Sequence, residues 1–389
     1  MIKTITFYTL CILLPLNIFS CTEKVSKNEL TTIKLNPNKE NLIFLSDIID
    51  SINIILLETT EQVLLNDIRK LEYDEGFYFI QNNQDLLVYI FNEKGFFSCQ
   101  PAKKGQGPGE VHYPYAFALD KANKEIWLTN NNSFYRYNYT GKYIGNRPYS
   151  LAFSDFCIEK SGNIYFYTGK DNNSHIMDGF LTGNITMFTA EGEKKTWFKS
   201  QDALQHKPNQ AYMSFSTRIP FTEQENGKIT CHYAFSDTIY SIHEGHIDPL
   251  YVIDLGKNKS PIDLDQISGT DAEQYIKTHP KVVWYARDVV ETPNILKFSY
   301  NFGFESYADA YYNKNNGHIL EGKSINDLLG GYIKTLGRRG NKIIGYMSAI
   351  DVQLDEKSSS FISQEQLSEL KKLTLDSNPI LIEFTLKDF

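Results

Sequence analysis

Cysteine is scarce in this chain and forms no recognisable metal or redox motif. The 389 residues contain 5 cysteines, and no two have the Cys-x-x-Cys spacing of zinc or thioredoxin-type sites. Beyond residue 21 there remain Cys99, Cys157 and Cys231, each in an apolar, strand-like run. An odd number cannot all pair, so the sequence predicts buried free thiols rather than a disulfide framework or a metal site.

An excess of positive charge is also missing. The chain has 39 Lys and Arg against 47 Asp and Glu, which gives a net charge of −8. Binding of nucleic acid requires a cluster of basic side chains that neutralise phosphates. Because the sequence has no basic stripe, we expect no nucleic-acid partner.

Familiar catalytic signatures are absent as well. No G-x-S-x-G elbow marks a hydrolase nucleophile. The segment "HEGH", residues 243–246, lacks the i, i+4 histidine spacing of a zinc-protease helix and is typical of a solvated turn. The sequence therefore predicts no cofactor and contains no metal-binding motif. A bound Ca²⁺ is the alternative.

Only the N-terminus carries a long apolar run. "MIKTITFYTLCILLPLNIFSC" starts with Lys3, is apolar to Phe19, and is too short and interrupted for a comfortable membrane span. It predicts a signal peptide over residues 1–20. Its end, "IFSC", resembles a bacterial lipobox, which implies cleavage before Cys21 and lipid on the sulfur of Cys21. The alternative is an ordinary signal peptide with a chance cysteine. With a lipid, residues 21–32 form an anchor and a polar tether to the membrane.

Aromatic residues are abundant and recur in a repeated layout. They make up 14% of the chain, with 25 Tyr and 25 Phe, which favours pleated strands. Segments that start at Ile68, Tyr115 and Phe153 each predict four strands, with a polar turn after the first and a glycine-ended turn before the last. Five such closing glycines follow about 50 to 70 residues apart, which is typical of propeller blades. They are Gly95, Gly141, Gly192, Gly245 and Gly317.

A six-bladed β-propeller accounts for this layout. Four antiparallel strands per repeat define a blade. The five glycines mark five repeats, and a sixth starts near "GYIKTLGRRGNKIIGYMSAI" and ends in the strand "ILIEFTLKDF", which gives six blades. Short helical insertions are expected near 271–279 and 363–372, the second with a cap at Ser363. The ring needs closure, because an open ring exposes strand edges. An N-terminal strand in "INIILLET" or "TIKLN" could pair with the last blade. A β-sandwich is the alternative, but it does not explain the recurring four-strand layout.

Several of these segments resemble a known group of proteins. The lipobox, the entry "SDIIDSINIILLETT", the motif "KGQGPGE" and the hairpin "FNEKG" resemble six-bladed β-propeller lipoproteins of gut-type gram-negative anaerobes. That group is filed under domains of unknown function and shares the architecture of NHL and TolB-like propellers. The resemblance implies an all-β propeller over residues 33–389 and a place in the cell envelope. It implies no particular activity.

The glycine-rich stretch "AKKGQGPGEVHYP", residues 102–114, is interpreted as a structural corner. A phosphate loop would need Lys-Ser or Lys-Thr after its glycines, and none follows. The connection between blades must bend sharply, which glycine permits and proline helps to fix. The corner residues are Gly105, Gly107, Pro108 and Gly109. Glu110 and His112 would then emerge near the channel mouth, where propellers often bind ligands.

Other candidate ligand-binding residues lie in segments expected to connect the blades. An aromatic ring could stack on a sugar or a peptide, and Arg could hold a carboxylate. The alternative is that the rings pack between blades and the charges are solvated. These candidates are Arg147, His206, Tyr212, Trp284 and Arg287.

Three functions are compatible with this sequence. The first is a lipid-anchored binding or scaffold protein whose channel face takes a glycan, a peptide or a partner protein of the envelope. The second is a lyase or lactonase-like hydrolase with a metal or a His/Glu site in the channel, for which Glu110 and His112 are the first candidates. The third is a structural part of an envelope assembly.

Overall fold

Six β-sheets surround a central axis in the computed structural model of the chain. It describes residues 30–38, 40–169, 173, 183–198, 219–224, 227–304 and 306–389, apart from the side chain of Tyr285. Each sheet has four or five strands, and within each the four blade strands are antiparallel. The protein is therefore a six-bladed β-propeller, as the repeated layout predicts.

The described chain begins with three strands that do not form a blade of their own. They are β1 (Thr31–Lys34), β2 (Leu42–Phe44) and β3 (Ile49–Leu56), with the one-turn helix α1 (Leu45–Ile48) before β3. β1 starts within the expected tether, 21–32.

Blades 1 to 3 follow directly in sequence, each running from the axis outward. Blade 1 contains β4 (Ile68–Asp74), β5 (Phe77–Asn82), β6 (Val88–Asn92) and β7 (Phe97–Cys99). Blade 2 contains β8 (Phe117–Asp120), β9 (Glu125–Asn130), β10 (Ser133–Asn138) and β11 (Tyr143–Pro148). Blade 3 contains β12 (Asp155–Ile158), β13 (Ile164–Tyr167), β14 (Ile185–Phe188) and β15 (Lys194–Trp197).

Blades 4 to 6 carry the helical insertions. Blade 4 contains β16 (Phe221–Glu223), β17 (Ile229–Cys231), β18 (Thr238–His243) and β19 (His246–Asp254). Blade 5 contains β20 (Val283–Glu291), β21 (Ile295–Phe302), β22 (Ser306–Asn313) and β23 (Ile319–Ile325). Blade 6 contains β24 (Lys334–Arg339), β25 (Lys342–Met347) and β26 (Ile380–Leu386).

Both expected helical insertions are present. α2 (Gly269–Thr278) lies between blades 4 and 5, and α3 (Ser358–Phe361) and α4 (Gln364–Leu370) lie within blade 6. The Ser363 hydroxyl accepts a hydrogen bond from the backbone N–H of Gln366 and caps α4. Single 3₁₀ turns span Gly256–Asn258, Leu264–Gln266 and Ala349–Asp351. No helix in the described part of the chain is long and apolar enough to cross a membrane.

The N-terminal strands close and brace the ring. β3 pairs antiparallel with β26 and supplies the outermost strand of blade 6, with Ile54 opposite Ile382. This confirms the closure expected of "INIILLET". The other candidate, "TIKLN", does not reach the last blade, because β1 pairs in parallel with β19 of blade 4. β2 likewise adds a parallel strand to β23 of blade 5, so one segment covers three consecutive blades.

The glycine-ended turns lie where the repeats place them. All five closing glycines have positive φ, between 77° and 94°, at the turn before the outermost blade strand. At Gly95 space is also short, because a Cβ there would lie 2.1 Å from the backbone oxygen of Leu56 in β3. This turn therefore needs glycine both for its conformation and for the close approach of the closing strand.

Aromatic side chains fill the spaces between blades. Phe134 of blade 2 is the centre of one cluster, with ring centroids 5.5 Å from Trp127 and 4.7 Å from Phe156 of blade 3. Full burial of one such ring stabilises the fold by about 1.5–3 kcal/mol. The high aromatic content thus serves packing between blades.

The three cysteines of the propeller, Cys99, Cys157 and Cys231, are free thiols. Cys231 is buried and the other two are half-buried.

One assignment within blade 5 is corrected by the structure. The sequence predicts Trp284 and Arg287 on a connection between blades. Both residues instead lie on β20, the innermost strand of blade 5, paired with β21. Its register shifts between Arg287 and Val290, and Asp288 has a φ of 52°. These bulges break the alternation that would have marked the segment as a strand.

Candidate functional site

A cavity of about 670 Å³ lies at one mouth of the central channel. It lies at the end of the ring where the innermost strands finish and the chain turns outward. Residues at or near the ends of five of these strands line it: β4, β8, β12, β16 and β24. Charged side chains at these strand ends point to this shared space because the strands converge on the axis. Pockets formed by a few converging polar groups are the usual place for a ligand.

Lys70 of β4 links three blades across the channel. Its Nζ donates to the backbone oxygen of Phe117 in blade 2 at 2.8 Å and to Oδ1 of Asp155 in blade 3 at 3.0 Å. Oε1 of Glu72 lies 3.3 Å from the same nitrogen. Burial alone would lower the pKa of Lys70, but Asp155 and Glu72 outweigh it and the pKa is raised. Lys70 is thus held as a cation.

Burial acts in the opposite sense on the two carboxylic acids. The pKa of Glu72 and that of Asp155 are both raised, because removal from water disfavours the charged form more than Lys70 restores it. A buried acid with a raised pKa beside a lysine can hold or release a proton near a bound ligand.

A second pair crosses the channel between blades 2 and 4. Nζ of Lys121 donates to Glu223 of β16 and, at 2.9 Å, to the backbone oxygen of Tyr73. Nε of Arg338 in blade 6 donates to the backbone oxygen of Glu223 at 2.9 Å. Lys121 is half-buried, so its amine is held in place and still faces the cavity.

The cavity carries both charges in equal number and has an apolar side. Five basic and five acidic side chains line it, so it favours neither a simple anion nor a simple cation. They are Lys70, Lys121, Lys160, Arg338, Arg339, Glu72, Asp74, Asp120, Glu159 and Glu223. Leu71, Ile219 and Leu336 form a buried apolar part of the wall. A ligand with both charges and an apolar portion matches these walls.

The glycine-rich corner is held by contacts within its own loop and with blade 2. Oε2 of Glu110 turns back into its own loop and accepts the N–H of Gly107 at 2.9 Å. A Cβ at Gly105 would lie 1.9 Å from this Oε2. Tyr137 donates from its hydroxyl to the backbone oxygen of Gly109 at 2.9 Å. The carboxylate of Glu110 therefore holds the corner together.

The remaining sequence candidates do not converge on the channel cavity. His112 has an exposed side chain, and its backbone N–H donates to Oδ1 of Asn130 at 2.8 Å. Arg147 lies on the outer strand β11, with its guanidinium 5.7 Å from the ring centre of Trp127. Arg287, on β20, lies 5.5 Å from the ring centre of Tyr307.

Trp284 is placed differently, and three other candidates lie outside the described residues. Trp284 is on β20 and lines a second cavity, between blades 4 and 5. His206, Tyr212 and the lipidation candidate Cys21 are not among the described residues.

The channel residues were missed because no local motif marks them. Lys70 and Glu72 stand two apart in "IRKLEYD", on one face of the innermost strand of blade 1. Charged residues inside an otherwise apolar repeat are a signal that could have been used. The sequence does not show, however, that Asp155 and Glu223 lie opposite, since each comes from a different blade. Among the described residues, no three His, Cys, Asp or Glu side chains are placed to hold a metal ion.

Comparison with known proteins gives the family. Residues 30–385 match the family described as a domain of unknown function, DUF4934. The chain belongs to the DUF4934 family. The match covers all six blades and the three N-terminal strands. None of the curated proteins compared with the chain matches it.

Solved structures share the fold of this DUF4934 protein at low sequence identity. A protein of Bacteroides fragilis NCTC 9343 described as exported is 16% identical, with a TM-score of 0.70 over 92% of this chain and 100% of its own. A member of the duf4221 family from Bacteroides vulgatus is 10% identical, with a TM-score of 0.51 over 87% and 98%. A virginiamycin B lyase of Staphylococcus aureus reaches a TM-score of 0.40 at 12% identity over 86% and 99%, too low to bear on activity.

Proposed function

We propose that this DUF4934 protein is a lipid-anchored binding protein of the cell envelope whose channel mouth takes a short peptide. The observation that carries the proposal is the pair of cross-channel lysines, Lys70 and Lys121, each held against carboxylates of other blades. These ion pairs form a rigid site whose wall carries both positive and negative side chains. A peptide offers a matching ammonium, a carboxylate and apolar side chains, and a rigid site lowers the ordering cost of binding.

The envelope location and the anchor rest on separate observations. The signal-like N-terminus ends in the lipobox-like "IFSC". The protein of Bacteroides fragilis that shares the fold is described as exported. An acylated Cys21 would hold the ring at a membrane, since each buried CH₂ contributes about 0.8 kcal/mol.

Peptide binding is tested by titration calorimetry with a panel of defined tetrapeptides of mixed charge. We expect at least one to bind, and Lys121→Ala to weaken its Kd about tenfold, because a charge-assisted hydrogen bond is lost. Lys124→Ala is the matched control, since Lys124 forms an exposed pair with Glu75, at 2.8 Å, and does not line the cavity. Absence of binding, or equal loss in both variants, would reject the channel as the site.

The anchor is tested by metabolic labelling with palmitate in a gram-negative host. Label is expected in the wild-type protein and in Cys11→Ser, and no label in Cys21→Ser. Cys11 is the matched control because it lies within the expected signal peptide. Label that survives Cys21→Ser would show that the lipobox is misread.

A lyase or lactonase-like hydrolase is the second candidate, and Glu72 is the observation that favours it. Its raised pKa in the channel cavity suits a general acid or base. A panel of lactones and uronic-acid oligosaccharides tests it by product release. Turnover that falls in Glu72→Gln would support the enzyme over the binding protein. Glu75→Gln is the control, because Glu75 is exposed in the turn that follows β4, and this variant should keep its turnover.

A further inference from the structure

A second cavity, of about 460 Å³, lies between blades 4 and 5. It is lined by Trp284 at the start of β20 and by residues of the loop 233–237 that follows β17. The 3₁₀ turn Leu264–Gln266 forms another wall. It opens at the end of the ring where the innermost strands begin, whereas the channel cavity lies where they finish. The two cavities are therefore separate sites.

Aromatic rings form one part of the walls of this cleft. Six of them line it: Phe198, Tyr233, Phe235, Tyr240, Trp284 and Tyr300. The ring centroid of Phe198 lies 4.4 Å from that of Tyr240 and 4.8 Å from that of Tyr233. Nε1 of Trp284 donates to the backbone oxygen of Gly303 at 2.7 Å, which fixes its ring plane. Rings that are already ordered lose little entropy when a ligand stacks on them.

Polar groups at the rim of the cleft supply donors and acceptors side by side. Nζ of Lys259 donates to Oδ2 of Asp237 at 2.6 Å. Asp263 is exposed and accepts the backbone N–H of Asp265 at 3.0 Å. An acid paired with an amine, next to a further carboxylate, can receive and give hydrogen bonds to adjacent hydroxyl groups.

Two lining residues hold an unusual backbone conformation. Phe198 has a φ of 58° and Phe235 a φ of 68°. Bulky side chains rarely adopt this left-handed region. Strain of this kind persists only where surrounding structure enforces it, and it clusters at ligand-binding sites. Here both residues face the same cleft.

We propose that the cleft between blades 4 and 5 binds a saccharide, with a sugar ring stacked on the aromatic wall and its hydroxyls on Asp237, Lys259 and Asp263. A sugar ring has an apolar C–H face and a polar edge, which is the same division that the cleft shows. A purely apolar ligand would remove water from the rim carboxylates without replacing its hydrogen bonds. The proposal does not depend on what the channel cavity binds.

Titration calorimetry with xylohexaose, cellohexaose and chitohexaose at millimolar concentration tests this site. We expect one of them to bind, and Tyr240→Ala to weaken Kd about tenfold, while Tyr240→Phe retains the ring and the affinity. Tyr113→Ala is the matched control, because Tyr113 is 55% exposed and lies on another blade connection. Asp263→Asn, at the exposed rim, is expected to weaken binding because the charge is lost, while its amide oxygen can still accept the N–H of Asp265.

Two results would overturn the proposal. One is that no hexasaccharide binds. The other is that a hexasaccharide binds with the same affinity to Tyr240→Ala and to Asp263→Asn as to the wild type. Lys121→Ala separates the two cavities, since it is expected to leave saccharide affinity unchanged while it weakens peptide binding in the channel.

Discussion

Single residues in this propeller connect blades that are far apart in sequence. Lys70 reaches blade 3 from blade 1, and Lys121 reaches blade 4 from blade 2. Lys70 keeps its charge inside the ring because Asp155, Glu72 and a backbone oxygen surround it. Lys121 is held in place by Glu223 and by the backbone oxygen of Tyr73. At this scale the channel is a set of paired charges held by a rigid frame.

Gly95 and Gly192 allow a test of what glycine contributes at one turn. Both close the turn before the outermost strand, with φ of 87° and 94°. At Gly192 a Cβ would meet nothing within 4 Å, so Gly192→Ala is expected to cost only the conformational strain, about 1 kcal/mol. Gly95→Ala is expected to cost about 1–3 kcal/mol more, because its Cβ overlaps the backbone of Leu56.

Urea denaturation of the two variants measures this difference in the free energy of unfolding. Equal destabilisation would mean that the closing strand shifts to accommodate a methyl group, contrary to the close approach described for Gly95.

At the scale of the element, strand β26 is held by its neighbours on both sides through Glu383. Its carboxylate accepts from the Tyr78 hydroxyl of blade 1 at 2.7 Å and lies 3.3 Å from nitrogens of Arg339 and Lys342. Nδ2 of Asn53, on the closing strand, donates to it at 3.4 Å. The blade that closes the ring is thus joined to blade 1 by one buried acid.

Glu383→Gln is expected to lower the free energy of unfolding by about 2 kcal/mol at neutral pH. Burial would raise the pKa of Glu383, but Tyr78, Arg339 and Lys342 outweigh it and the pKa lies below its usual value of 4.5. A lowered pKa in the folded state contributes stability above 4.5 that is lost as the pH falls through the folded value. The difference between wild type and variant should therefore shrink below pH 4.5.

Thermal unfolding across this pH range provides the measurement. Glu93→Gln is the control, because Glu93 pairs with the same Arg339 but is exposed, and such pairs contribute at most about 1 kcal/mol. A difference for Glu383→Gln that stays constant down to acidic pH would contradict the lowered pKa.

At the scale of the whole molecule, one N-terminal segment decides whether the ring closes. β3 supplies the last strand of blade 6, whereas β1 and β2 only extend blades 4 and 5. A propeller without its closing strand leaves the edge of β26 open. The three strands therefore differ in their importance although they are adjacent in sequence.

Two truncations distinguish closure from extension. A chain that starts at Asn41 lacks β1 and should still unfold cooperatively. Its free energy of unfolding should be about 2 kcal/mol lower than that of the full chain, because the burial of Ile33 is lost. A chain that starts at Leu57 lacks all three strands and should lose its cooperative thermal transition. Addition of a synthetic peptide of residues 45–58 should restore the transition.

Calorimetry provides the measurement. If the chain from Leu57 unfolds cooperatively without the peptide, closure by β3 is not what stabilises the ring.

The sequence by itself determined the blades and the form of the closure. Turn glycines such as Gly141 and Gly245, with aromatics between them, are local signals, and each blade is a local unit. The sequence also predicted the cap at Ser363, because a cap depends on neighbouring residues.

Only the tertiary structure decided which side chains meet. Trp284 and Arg287 were placed on a connection between blades because the bulges of β20 obscure its alternation. The choice between "INIILLET" and "TIKLN" depended on which free edge each strand reaches. The pairs Lys70–Asp155 and Lys121–Glu223 join blades that are not neighbours, and a single sequence holds no signal for such contacts. The charged channel and the aromatic cleft exist because the ring brings together residues that are distant in sequence.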